Sequence, residues 1–176
     1  MAAASAIARV CFVSMLVACA APSAHVPSDF GLEGGWPAAS SPTPVQVRAA
    51  DVWARELETA LAGTSFVIDL RVYTRALADR VGEALASQRI ALDPGAPKSL
   101  ELEVVYARIL PGAGNTHCLI DYTVRAGDGY VHGHQARAFS TDTAKACNAA
   151  LSEAAATCRD PKVLAYLAAP ISPGSP

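Results

Sequence analysis

Residues 99–140 read SLELEVVYARILPGAGNTHCLIDYTVRAGDGYVHGHQARAFS. In LELEVVYARIL, Leu100, Leu102, Val104 and Tyr106 fall on one face of an extended chain, with Glu101 and Glu103 opposite. PGAGNT turns the chain. HCLIDYTV then places Cys118, Ile120, Tyr122 and Val124 inward. Gly127-Asp128-Gly129 is a strong hairpin signal. YVHGHQARAFS returns with a less regular pattern. The stretch predicts three strands in a meander, with one buried face and one polar face.

The flanking segments supply helices and a fourth strand. Thr43-Pro44-Val45-Gln46 resembles a capping box with proline at the first helical position. Val45, Ala49, Val52, Trp53, Leu57, Ala60 and Leu61 then follow at helical spacing, with Gly63 to close the helix. SFVIDLRVY alternates, so Phe66, Ile68, Leu70 and Val72 share one face of a strand. Thr74 caps a second helix with Leu77, Val81, Ala84 and Leu85 on one side. LDPGAPKS is a loop. A long helix begins near Thr141 or Asp142 and carries Cys147, Leu151, Ala154 and Cys158. Asp160-Pro161 opens a short last helix through KVLAYLAA. The expectation is an α+β fold. Its four-stranded mixed sheet has one parallel crossover and an antiparallel meander, with the helices packed on one face.

The 176 residues suffice for one domain. A net charge of −2 and a pI near 6.0 give no electrostatic basis for binding nucleic acid. No apolar run reaches the roughly 18–20 residues of a spanning helix.

The amino terminus sets an address. Arg9 precedes an apolar run from Val10 to Ala18, in the order of a secretory signal peptide. Leu16-Val17-Ala18-Cys19 follows. This resembles the lipobox of bacterial lipoproteins. That resemblance implies that residues 1–18 are a signal peptide, that Cys19 is acylated, and that Cys19 becomes the first residue of the mature chain. Ala20, where that family uses aspartate for inner-membrane retention, implies the outer membrane and its periplasmic face. The competing readings are an ordinary signal peptide cut near Ala20, and a retained core helix.

Residues 19–43 are rich in Pro, Gly, Ser and Ala and read as a flexible tether. Phe30 and Trp36 within it either dock loosely on the domain or form a partner-binding segment. Residues 44–169 make a single two-layer domain, and 170–176 a disordered tail. The lipobox and tether, VIDLRVYTRALADRVGEALASQRI and DPKVLAYLAA together resemble small YajG-like envelope lipoproteins and, more loosely, the lipopolysaccharide-assembly lipoproteins. This likeness is one of architecture, and it implies no site residue beyond Cys19.

Cys118, Cys147 and Cys158 remain to be placed. Cys147 and Cys158 lie 11 residues apart on one predicted helix. That is about 16 Å at 1.5 Å per residue, too far for a disulfide. A bridge would therefore join Cys118 to Cys147 or to Cys158; three buried thiols are the alternative.

His132-Gly133-His134 could place two imidazoles on one strand face. Their expected cross-strand neighbours, Val124 and Tyr122, cannot complete a metal site. Glu101, Glu103 and Asp121 read as solvated or paired with Arg125 and Arg137. No nucleophile motif or phosphate loop is present in the sequence. The expectation is a non-enzymatic protein with no cofactor, no metal and no nucleic-acid partner. It would be held to the membrane at Cys19, bind an envelope protein or lipid, and serve envelope assembly or transport through its open sheet face or edge strand. The alternative is a periplasmic inhibitor or immunity protein against a secreted toxin.

Overall fold

A computed structural model describes residues 23–24, 43–52, 56–61 and 64–170. Arg9, the lipobox through Cys19, Phe30, Trp36 and residues 171–176 lie outside the described residues.

The elements run β1 (Ser23–Ala24), β2 (Val45–Ala49), β3 (Glu56–Leu61), β4 (Thr64–Asp69), α1 (Leu70–Ser87), β5 (Lys98–Pro111), β6 (Thr116–Ala126), β7 (Val131–Ser140), α2 (Thr143–Thr157) and α3 (Pro161–Ala168). The main sheet is four-stranded and mixed, in the order β2-β5-β6-β7. β2 is parallel to β5, and β5, β6 and β7 form the antiparallel meander. β1, β4 and β3 form a separate small sheet. The fold is α+β, as the sequence pattern indicates.

The strand that supplies the parallel pairing is not the one expected. Among the described residues of 45–61 there is no helix. They contain β2 and β3, and Gly63 lies outside the described residues. Val45, Val47 and Ala49 are spaced for a strand as well as Val45, Ala49 and Val52 are for a helix. Pairing with β5 decides between the two, because Val45 sits opposite Lys98 and Ala49 opposite Leu102. Val45 is fully buried and Arg48 is exposed.

The second correction concerns where β4 ends. The strand stops at Asp69, and helix α1 already starts at Leu70. Asp69, not Thr74, is the N-cap, and its carboxylate accepts the Arg71 N–H at 2.9 Å. Leu70, Tyr73, Thr74 and Leu77 all turn inward at helical spacing. Burying Leu77, Val81 and Leu85 stabilises by about 1.5–3 kcal/mol for each side chain. That exceeds the few tenths that intrinsic propensity contributes per residue, so packing holds the helix.

The buried sheet face carries Leu100, Leu102 and Val104, then Ala107 and Ile109. The change of parity comes from a bulge between Val104 and Tyr106. One extra residue there turns Tyr106 outward, against the inward position that strict alternation gives it. On β6 the alternation is uninterrupted, and Cys118, Ile120, Tyr122 and Val124 are all buried. Gly129, at φ +90°, completes the β6–β7 turn in a conformation that favours glycine.

α1 packs on β5 and β2, α2 packs on β6 and β7, and the two helices touch each other. Between them, Arg80 Nη2 donates to the Asn148 side-chain oxygen at 3.3 Å in a buried setting. α2 begins at Asp142, whose carboxylate accepts the Lys145 N–H at 2.8 Å. α3 begins at Asp160 with Pro161 in its first turn. Among the described residues, no helix is long and apolar enough to cross a membrane.

Candidate functional site

The cysteines are placed by the two layers of the domain. Cys118 on β6 and Cys147 on α2 form a disulfide, with Cα atoms 5.0 Å apart. Cys158 is a buried free thiol at the C-terminal end of α2. Burial pushes its pKa well above the ordinary thiol range, which disfavours the reactive thiolate.

The histidine pair sits where the hairpin register puts it. His132 is opposite Val124, and His134 is opposite Tyr122. The rings stack at a centroid distance of 6.1 Å. His132 Nδ1 lies 3.7 Å from Asp160 Oδ2, and the Tyr130 hydroxyl donates to Asp160 Oδ1 at 3.1 Å. Partial burial works to raise the Asp160 pKa. The Lys162 N–H, the Tyr130 hydroxyl and His132 outweigh it and hold the carboxyl below its usual range. The cluster thus stabilises the start of α3. Among the described residues, no group of three or more His, Cys, Asp or Glu side chains is placed to hold a metal ion.

The other sheet face is a charged ladder. Glu101 bridges Arg48 at 2.8 Å and Arg125 at 3.7 Å. Asp121 accepts from Gln135 at 2.7 Å. Arg137 instead turns to His117, at 3.3 Å. Such exposed pairs contribute about 1 kcal/mol or less, so they keep the face soluble rather than hold the fold. Phe139, 68 % exposed, and Val131 are apolar side chains on β7.

Concave surfaces flank the sheet among the described residues. One, of about 650 Å³, lies between the β6–β7 turn and the end of α3. Its floor is Lys98, whose ammonium donates to the carbonyls of Leu167 and Ala169 and so closes the C-terminal end of α3. Tyr166 adds a second tie, as its hydroxyl accepts the Ser99 N–H at 3.0 Å. With its lysine committed to helix capping, this cleft reads as a structural joint.

The second surface is a groove of about 570 Å³ between β2 and α1. β2 is an edge strand of the main sheet, and the groove runs beside its outer edge. Helical spacing over residues 45–61 hides this edge strand in the sequence. The usable signal was the period of two in Val45, Val47 and Ala49.

Compared with known proteins, the chain matches no family model and none of the curated proteins.

Proposed function

We propose that this chain is a non-enzymatic lipoprotein anchored at Cys19 to the outer membrane, facing the periplasm. There it binds a protein or lipid partner in envelope assembly or transport. The observation that carries the reading is Leu16-Val17-Ala18-Cys19 at the end of the apolar run that follows Arg9. Several acyl chains on one cysteine hold a protein durably at a membrane, because each buried methylene contributes about 0.8 kcal/mol.

The Cys118–Cys147 disulfide supports the same compartment, since such bonds persist where the environment is oxidising. The architectural resemblance to YajG-like envelope lipoproteins supports an envelope setting. A domain with a solvated sheet face and an edge strand offers surfaces suited to docking.

Cell fractionation tests the anchor. The native chain is expected in the outer-membrane fraction. Cys19→Ser, which cannot take the acyl chains, is expected to be absent from the outer-membrane fraction. Identical distribution of the two forms would overturn the reading.

A further inference from the structure

We infer that the free edge of β2 is a docking site for an extended, basic peptide segment of a partner, which adds to the main sheet as a further strand. The inference deepens the partner-binding reading above and rests on it.

The backbone defines the edge. In a parallel strand, alternate residues direct their N–H and C=O groups to opposite sides. The Ala50 N–H donates to Leu102 O at 2.7 Å, so the even-numbered residues of this stretch face β5. The Val45 N–H donates to Ala91 O at 2.9 Å, and Val45 O accepts the Asp93 N–H at 3.2 Å, both on the outer side. Val47 and Ala49 therefore aim their N–H and C=O groups outward as well. Residues 91–93 fill the first rung of that edge and leave it at Pro94. Among the described residues, no strand pairs with Val47 or Ala49 on that side. An open edge of this kind is a template for an added strand.

The groove beside the edge sets the chemistry of the occupant. Its floor is apolar and small, with Ala78 and Gly82 of α1 and the half-exposed Leu92. A β-carbon built on Gly82 would meet Leu92 Cδ1 at an ordinary contact of 3.5 Å, so the floor is not tightly sealed by backbone. Asp79, Glu83 and Asp93 line the rim, against one guanidinium from Arg75. Three carboxylates to one cation favour lysine or arginine on the side of the incoming strand that faces α1. Apolar residues suit the floor.

The experiment uses the full chain and two synthetic octapeptides, one alternating lysine and valine, the other alternating glutamate and valine. Amide hydrogen exchange is followed with each. The lysine peptide is expected to slow exchange at Val47 and Ala49 by about tenfold; the glutamate peptide is expected to leave both unchanged.

Val47→Pro removes an outward N–H without taking a bond from the β2–β5 ladder, and proline is tolerated at such edge positions. It is expected to weaken lysine-peptide binding by roughly fivefold to tenfold. The doubly substituted Asp79→Lys, Glu83→Lys chain changes only exposed helix positions. It is expected to lose the protection while keeping its unfolding temperature.

No protection by the lysine peptide, equal protection by both peptides, or protection that survives the double substitution would overturn the proposal. So would protection that rises with protein concentration alone, which would assign the edge to a second copy of the chain. No membrane enters the assay, so its failure leaves the Cys19 anchor to be judged by fractionation.

Discussion

Thr74 Oγ1 on α1 accepts the backbone N–H of Val104 on β5 at 2.9 Å. The bond forms just past the end of β2, whose pairing with β5 reaches only Leu102. The first helix thus satisfies a donor that the edge strand is too short to reach. Thr74 is buried, so no water competes. Thr74→Val keeps the shape and removes the acceptor. It is expected to cost about 1–3 kcal/mol, read by urea unfolding, because a buried N–H is left unmade. Thr74→Ser, which keeps the acceptor, is expected to lose less. Equal losses in the two variants would show that the bond contributes little.

The Cys118–Cys147 bridge ties the second strand of the meander to α2 across a separation of 29 residues. Loop-closure entropy for such a separation gives about 3–4 kcal/mol. Cys118→Ala combined with Cys147→Ala is expected to lower unfolding stability by up to that amount. Reductant should bring the native chain toward the variant and leave the variant itself unchanged. A native chain indifferent to reductant would contradict the linkage.

Asp69 ties its cap to pH. The Arg71 side chain, with the Arg71 backbone N–H adding to it, outweighs partial burial and holds the Asp69 carboxyl below its ordinary range. A carboxylate depressed in the folded state contributes stability above its unfolded pKa of about 3.9, and loses it as pH falls through the lower folded value. Asp69→Asn keeps a capping side chain without the charge. The stability gap between native chain and variant, measured by thermal unfolding, is expected to be full at neutral pH and to close below about pH 4. Asp69→Ala, which also removes the cap, is expected to cost about 0.5–2 kcal/mol at neutral pH. A gap that is unchanged at acid pH would contradict the charge effect.

Where one signal dominated, the sequence was legible. Cys118, Ile120, Tyr122 and Val124 alternate against polar neighbours, and all four are buried. The hairpin at Gly127-Asp128-Gly129 placed His132 and His134 opposite Val124 and Tyr122. Asp160-Pro161 marked the start of α3.

The misreadings fall where two periods overlap. Val45, Ala49, Val52 and Leu57 fit a helix, but Val45, Val47 and Ala49 fit a strand, and the long-range pairing with β5 won. Leu70 continues the alternation of Phe66 and Ile68, yet it also begins the helical series Leu70, Tyr73, Leu77. Thr74 has the residue type of a cap, but the inward packing of Leu70 and Tyr73 starts the helix earlier and puts the cap at Asp69. The bulge at Val104/Tyr106 left no composition signal, since Val104, Val105 and Tyr106 are all good strand formers. The β2 groove was illegible for the same reason as β2 itself.

Cys19 carries the membrane anchor proposed for this protein. Intact mass of the native protein extracted from membranes, compared with the Cys19→Ser form, tests it. The account predicts a native chain that begins at Cys19, lacks residues 1–18 and carries added acyl mass on that residue. An unmodified chain, cut at another position or uncut, would contradict it and remove the membrane from the protein's function.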